Sequence, residues 1–292
     1  MSYHIPPSEL AIHADGSVFH LHLKPEQLAD RVILVGDPAR VTAIASYLDM
    51  RECEVSSREF HTITGSYKGK RITIVSHGIG TDNIDIVLTE LDALANIDLT
   101  TRTVKPVLKR LSLVRIGTSG GLQPFTPIGS YVAAEKSIGF DGVLYFYGDT
   151  KRVRDLEMEA ELIRQLDWKI EGLRPYVVSA DASLLNQILG DDPSIVRGMT
   201  IAANGFYGPQ GRKLRLTLAD PDLNRKIEAF DYQGRRITNF EMESSALAGL
   251  SALMGHRAMT VCCIIAGRVS NAMNTDYATS LETLIQRVLE RI

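Results

Sequence analysis

The residues best suited to chemistry in this sequence stand where strand-like runs end. In VGDPAR (35–40), Gly36 lets backbone approach a ligand closely. The helix expected after Pro38 offers free N–H groups to an anion, and Arg40 lies one turn inside it. The segment also reads as a plain strand-to-helix turn with Arg40 in solvent. In VRIGTSGGL (114–122), Arg115 lies inside an apolar run, where an arginine is costly unless paired. Thr118, Ser119, Gly120 and Gly121 then supply hydroxyls and flexible backbone amides. That composition suits phosphate or carboxylate, although a structural ion pair would also account for the arginine. Together the two segments make an oxyanion site. Neither has the spacing of a P-loop, which disfavours ATP hydrolysis.

Two further segments carry polar groups for an organic ligand. In NFEMES (239–244), Glu241 and Glu243 alternate with Phe240 and Met242 where a strand meets a helix, so one carboxylate can point into a cleft. Its two acceptor oxygens suit a pair of adjacent ribose hydroxyls. Paired carboxylates also fit glycoside hydrolysis, and an acidic helix N-terminus would look the same. In NGFYGPQGR (204–212), Phe206 could contact a planar ring, Gln210 offers a donor and an acceptor, and Arg212 offers planar donors. These match the edge of uracil, with carbonyls flanking an N–H, but a turn-rich surface loop is the competing reading. Four of the seven histidines, His4, His13, His20 and His22, fall early in the chain without zinc-like spacing. His61 and His77 read as structural residues in strands, and His256 as a helix C-terminal cap.

These segments need a scaffold that brings strand ends together. The chain has 292 residues, 45% of them hydrophobic, enough for one large core. Its net charge of -3, without a basic tract, argues against nucleic-acid and membrane-surface partners. Cys53, Cys262 and Cys263 form neither a disulfide framework nor a C-x-x-C pair. The N-terminus lacks a signal-peptide pattern and no apolar run is long enough to span a bilayer, so a cytoplasmic protein is expected. Residues 1–17 read as a poorly anchored arm and 18–292 as a single domain. Apolar runs at 32–35, 111–116, 176–179, 198–203, 237–240 and 258–266 predict strands, and 60–75 predicts two more with a turn at 68–70. Helical spacing follows Pro38 and recurs at 84–94, 156–166, 183–189, 243–254 and 280–292. Strands alternating with helices predict an α/β fold around a mixed sheet, with the site in loops at strand ends.

Read in register, the segments resemble the nucleoside phosphorylase-I family, most closely its uridine phosphorylases. The resemblance runs from about Val18 to the C-terminus. It is carried by VFHLHL (18–23), GDPAR (36–40), SREF (57–60), GIG (78–80), RIGTSG (115–120), FYGPQGR (206–212) and EMES (241–244). It implies a three-layer α/β/α sandwich with a mixed, barrel-like sheet, and dimers that combine into hexamers. It implies inorganic phosphate as co-substrate, no cofactor, and phosphate held by Gly36, Arg40, Arg115 and Thr118, with Arg58 from a neighbouring subunit. Ribose would meet Met242 and Glu243, with His20 from that neighbour. The base would meet Phe206, Gln210, Arg212, Ile265 and Arg268. Arg115, Gln210, Arg212 and Glu243 would carry catalysis. Two departures stand out. Residues 97–110 form an insertion relative to compact bacterial members, and Asn83 replaces a serine that can hold a potassium ion with a glutamate placed like Glu59. The resemblance implies that purine enzymes of the family protonate the base with an aspartate near the position of Gly267 or Arg268; none occurs from 259 to 274, which argues against purine specificity. The alternatives are a purine nucleoside phosphorylase or nucleosidase of the same family, or a non-catalytic nucleoside-binding module.

Overall fold

The computed structural model describes residues 3–268 and 272–292. In chain order the elements are β1 (Arg31–Val35), α1 (Pro38–Ala45), β2 (Met50–Ser57), β3 (Phe60–Tyr67), β4 (Lys70–Ser76), α2 (Thr81–Asn96), β5 (Ile97–Asp98), β6 (Thr103–Val104), β7 (Ser112–Gly121) and β8 (Tyr131–Phe140). There follow α3 (Leu156–Leu166), β9 (Tyr176–Ser179), α4 (Ala182–Leu189), β10 (Ile195–Ala203), α5 (Leu223–Ala229), β11 (Asp231–Tyr232), β12 (Arg235–Glu241), α6 (Ser244–Met254), β13 (Arg257–Gly267), β14 (Ala272–Met273) and α7 (Ala278–Arg291).

The main sheet is mixed, in the order β11-β12-β10-β8-β13-β7-β1-β4-β3-β2. An additional antiparallel pairing of β12 with β7, at Asn239–Gly121 and Phe240–Gly120, closes five of these strands into a ring. The expected barrel-like sheet is therefore present, with β1, β4, β3 and β2 as an open wing. Both faces of the wing are covered. Along β1, Ile33 and Val35 join one apolar cluster with Ile44, Leu184, Ile188, Leu284 and Val288 from α1, α4 and α7. Val32 and Leu34 point the other way, into a cluster with Val87, Leu91 and Leu247 from α2 and α6. Successive strand side chains alternate faces, so a strand covered on both sides reads as a continuous apolar run. A third cluster packs α3 and α5, through Met158, Leu162, Leu166 and Ile227, onto β8, β10 and β12.

Two expectations need correction. The strand expected at 111–116 does not end at Ile116; β7 runs on through Gly121, paired with β13 along its length. A strand inside a closed ring needs small residues where a facing backbone approaches, and glycine supplies them without ending the strand. Nor is the N-terminal segment loose. The Arg102 guanidinium donates to the carbonyls of Ile5, Pro6 and Leu10, and Ile5 N donates to Arg102 O at 2.9 Å. Residues 97–110 include the small β5–β6 hairpin and so provide this anchor. Among the described residues no helix is long and apolar enough to cross a membrane.

Candidate active site

Arg115 stands mid-strand in β7, in register with Leu34 of β1 and Thr260 of β13. It is 4% exposed, and its guanidinium is fully occupied on one side by acidic and neutral acceptors. Nη1 donates to Glu241 Oε2 at 2.9 Å, Nη2 to Glu243 Oε2, and Nε to His77 Nε2 at 3.1 Å. Burial alone would lower its pKa, but Glu243 and Glu241 hold it above its usual value, so it is a permanent cation. Room for it comes from Gly117, two residues on and on the same face of the strand. A Cβ there would sit 2.7 Å from Arg115 Nη1 and 2.9 Å from Cys262 Sγ.

The two glutamates arrive from the junction of β12 and α6. Glu241 caps the helix: its carboxylate accepts from Ser244 N, from Ser244 Oγ at 2.6 Å and from Glu243 N at 3.0 Å. Glu243 Oε1 accepts from Gly80 N at 2.8 Å, at the start of α2. Burial pushes the Glu243 pKa up to about 7, against the pull of Arg115. The segment is a helix N-terminus capped by Glu241, and both glutamates also border a cavity. Likewise Arg115 is in an internal ion pair and also borders the cavity.

That cavity, of about 530 Å³, is lined by Gly36, Arg40, Arg115 and Thr118, by Met242 and Glu243, and by Phe206, Gln210, Arg212 and Ile265. Ten of the residues singled out in the sequence, from five distant segments, therefore line one cavity. Arg40 reaches in from α1, with Nη1 donating to Ile116 O at 3.3 Å, and burial lowers its pKa. Asp37 caps α1 through Ala39 N at 2.9 Å. Gly36 packs close: a Cβ there would lie 3.2 Å from Gly78 O. In the 206–212 loop, the Arg212 guanidinium lies 3.7 Å over the Phe206 ring and Nη1 donates to Gln210 Oε1 at 2.6 Å. Gln210 is buried, and its side-chain oxygen is the end that Arg212 holds.

Arg268, Arg58 and His20 are not on the cavity wall. Arg268 reaches it indirectly: Nη2 donates to Gln210 O, and the guanidinium lies 5.7 Å over the Phe240 ring. Arg58 lies 5.2 Å over the Phe19 ring, and His20 Nδ1 is 2.7 Å from Glu90 Oε1. Sequence reasoning missed Tyr277 and Met273, which line the cavity from the far end of the chain, and Glu241 as a partner of Arg115. It also set His77 aside as structural. Only Glu241 carried a signal, its spacing two residues before Glu243.

Asn83 stands beside Glu59 at Gly78, where the resemblance places a serine and a potassium ion at the dimer contact. Asn83 Nδ2 and Glu59 Cγ both crowd Gly78, at 2.5 and 3.6 Å from the position a Cβ would take. Among the described residues no group of three or more His, Cys, Asp or Glu side chains could hold a metal ion.

The chain matches the family model described as the phosphorylase superfamily over residues 30–292. It is similar to a uridine phosphorylase of Thermococcus kodakarensis, 30% identical over 88% of this chain and 80% of that one. It is similar to a uridine phosphorylase of Haemophilus influenzae, 29% identical over 86% of each. A solved nucleoside phosphorylase of Trypanosoma brucei, described as showing uridine phosphorylase activity, matches with a TM-score of 0.87 and 28% identity, over 97% of this chain and 98% of that one.

Proposed function

Since the chain belongs to the phosphorylase superfamily, we propose that it catalyses the reversible phosphorolysis of uridine to uracil and ribose 1-phosphate. The observation that carries this reading is one cavity holding both an arginine pair, Arg40 and Arg115, and the Gln210–Arg212 pair on Phe206. Breaking the N-glycosidic bond leaves positive charge on the sugar and negative charge on the base. Phosphate held by Gly36, Arg40, Arg115 and Thr118 lies against the cationic carbon and then attacks it. Gln210 and Arg212 donate to the uracil oxygens as charge builds there, stabilising the transition state more than the bound substrate. Glu243 and Met242 orient the ribose so that its anomeric carbon faces phosphate. No strong general base is needed, and phosphate is the only co-substrate.

The remaining residues act across a subunit contact in this reading. Arg58 and His20, absent from their own chain's cavity, complete a neighbour's phosphate and ribose sites in a homodimer, the unit from which a hexamer is built. Arg268 supports the base site by holding the Gln210 carbonyl. The cysteines are free, which suits the reducing cytoplasm. The test is release of uracil from uridine with and without phosphate. Phosphate-dependent release supports the assignment. Release by water alone would make the protein a nucleosidase, and no turnover would leave a binding module.

A further inference from the structure

The guanidinium of Arg115 has five N–H donors, and four are directed at protein atoms. Nη1 faces Glu241 Oε2 at 2.9 Å and Cys262 Sγ at 3.7 Å, Nη2 faces Glu243 Oε2, and Nε faces His77 Nε2 at 3.1 Å. One Nη2 donor is left for an anion in the cavity. Its direction depends on the in-plane rotation of the guanidinium, which the contact at Nε helps to fix beside the two carboxylates. His77 is wholly buried. It follows β4, its backbone N donates to Val35 O at 2.8 Å, and its ring Cε1 lies 3.8 Å from where a Cβ on Gly36 would be. The imidazole is thus wedged between the phosphate loop and the arginine.

The ring must accept at Nε2, because Arg115 can only donate. Its proton is therefore on Nδ1, which is buried and makes no hydrogen bond of normal geometry among the described residues. The backbone of Gly78 and of His77 itself lies close enough to favour that proton, and the side-chain contact of the ring is the one to Arg115. Burial, then the charges of Arg115 and Arg40, hold the His77 pKa well below its usual value, so the ring is a neutral acceptor. A neutral acceptor has a consequence a carboxylate would not. Glu241 and Glu243 already balance much of the positive charge, and a third anion would repel phosphate.

We propose that His77 is the positioning residue for phosphate, its Nε2 fixing Arg115 so that the spare Nη2 donor faces the anion without adding negative charge. The proposal rests on the phosphorolytic reading of the site. It is tested with His77→Gln, whose side-chain oxygen can reach the place of Nε2, and His77→Asn, whose amide stops at the place of Nδ1. Phosphate KM, uridine KM and kcat are measured with each, together with calorimetric binding of inorganic phosphate and the melting temperature. The expected result is a rise in phosphate KM and Kd of about tenfold or more in His77→Asn, about 1.4 kcal/mol, with uridine KM moved less than about twofold. His77→Gln should recover phosphate binding to within about threefold of the parent. Equal losses in both variants, or an unchanged phosphate KM in a folded His77→Asn protein, overturn the proposal. Should His77→Asn not fold, imidazole nitrogen NMR of the unmodified protein decides. A neutral Nδ1–H ring whose Nε2 shift moves on adding phosphate supports the proposal, and an Nε2–H ring overturns it. Parent protein that binds no phosphate would instead overturn the function itself, a distinct outcome.

Discussion

At the residue scale, the site is a buried charge cluster whose members depend on one another. Arg115 is paired with two carboxylates, so Arg115→Ala leaves those carboxylates without their cation and, in the proposed mechanism, removes a phosphate donor. Turnover should fall more than tenfold, at least about 1.4 kcal/mol in the barrier, and phosphate dependence should weaken. Unchanged phosphate dependence would take Arg115 out of the phosphate site. Glu243 gives a second, sign-definite expectation. Its pKa is raised by burial from 4.5 to about 7. Between those values the folded state holds a proton that the unfolded state has released, so this group's contribution favours folding at low pH and is lost as pH rises toward 7. His77, depressed in pKa, works in the opposite direction, destabilising the fold as pH falls below 6.5. The readout is therefore the difference in melting temperature between the parent and Glu243→Gln. Relative to the parent, the variant should gain as pH is raised from about 4.5 to 7. A difference flat across that range would show Glu243 to be ionised throughout. Base choice also belongs here. Gln210 and Arg212 leave unpaired donors against a purine, at about 1–3 kcal/mol each, so uridine should exceed inosine and adenosine by about a hundredfold or more in kcat/KM. Equal or better turnover of inosine would transfer the protein to the purine reading.

At the element scale, β7 does two jobs that conflict in most strands. It is a central strand bonded to β1 and β13, and it carries a charged side chain toward α2 and α6. Gly117 reconciles the two by clearing the surface on which the guanidinium lies. Gly117→Ala should shift Arg115 or Cys262, destabilise the protein by about 1–3 kcal/mol through overpacking, and lower kcat/KM by about tenfold or more. Thermal melting and phosphate kinetics check both parts, and a variant with parental kinetics would show that Arg115 has slack. Sequence reading found the strand but stopped it at Gly117. Glycine is ordinarily punctuation, and only the partner strands β13 and β12 reveal that the chain continues extended.

At the scale of the whole molecule, the cavity uses ten of the expected residues from one chain, whereas Arg58 and His20 lie elsewhere on it. If these two serve a neighbour's site, Arg58→Ala and Glu243→Ala proteins, each inactive alone, should regain activity when their subunits exchange. One site of each mixed dimer would then carry both defects and the other neither. Mass-verified mixed dimers without activity would confine each site to its own chain.

The sequence by itself determined the class of fold and named ten of the residues that line the cavity. Alternating apolar runs with helical spacing define strands and helices, and residue types such as Arg40, Arg115, Gln210 and Arg212 declare their chemistry wherever they are brought. Tertiary structure decided who partners whom. That Nε of Arg115 meets His77, 38 residues before it, and that Tyr277 and Met273 close the cavity follow from ring closure between β12 and β7 and from the packing of β13. Local periodicity contains no record of such pairings. The insertion at 97–110 makes the same point, since its capacity to tie down residues 5–10 depends on where Arg102 lies in space and not on its neighbours along the chain.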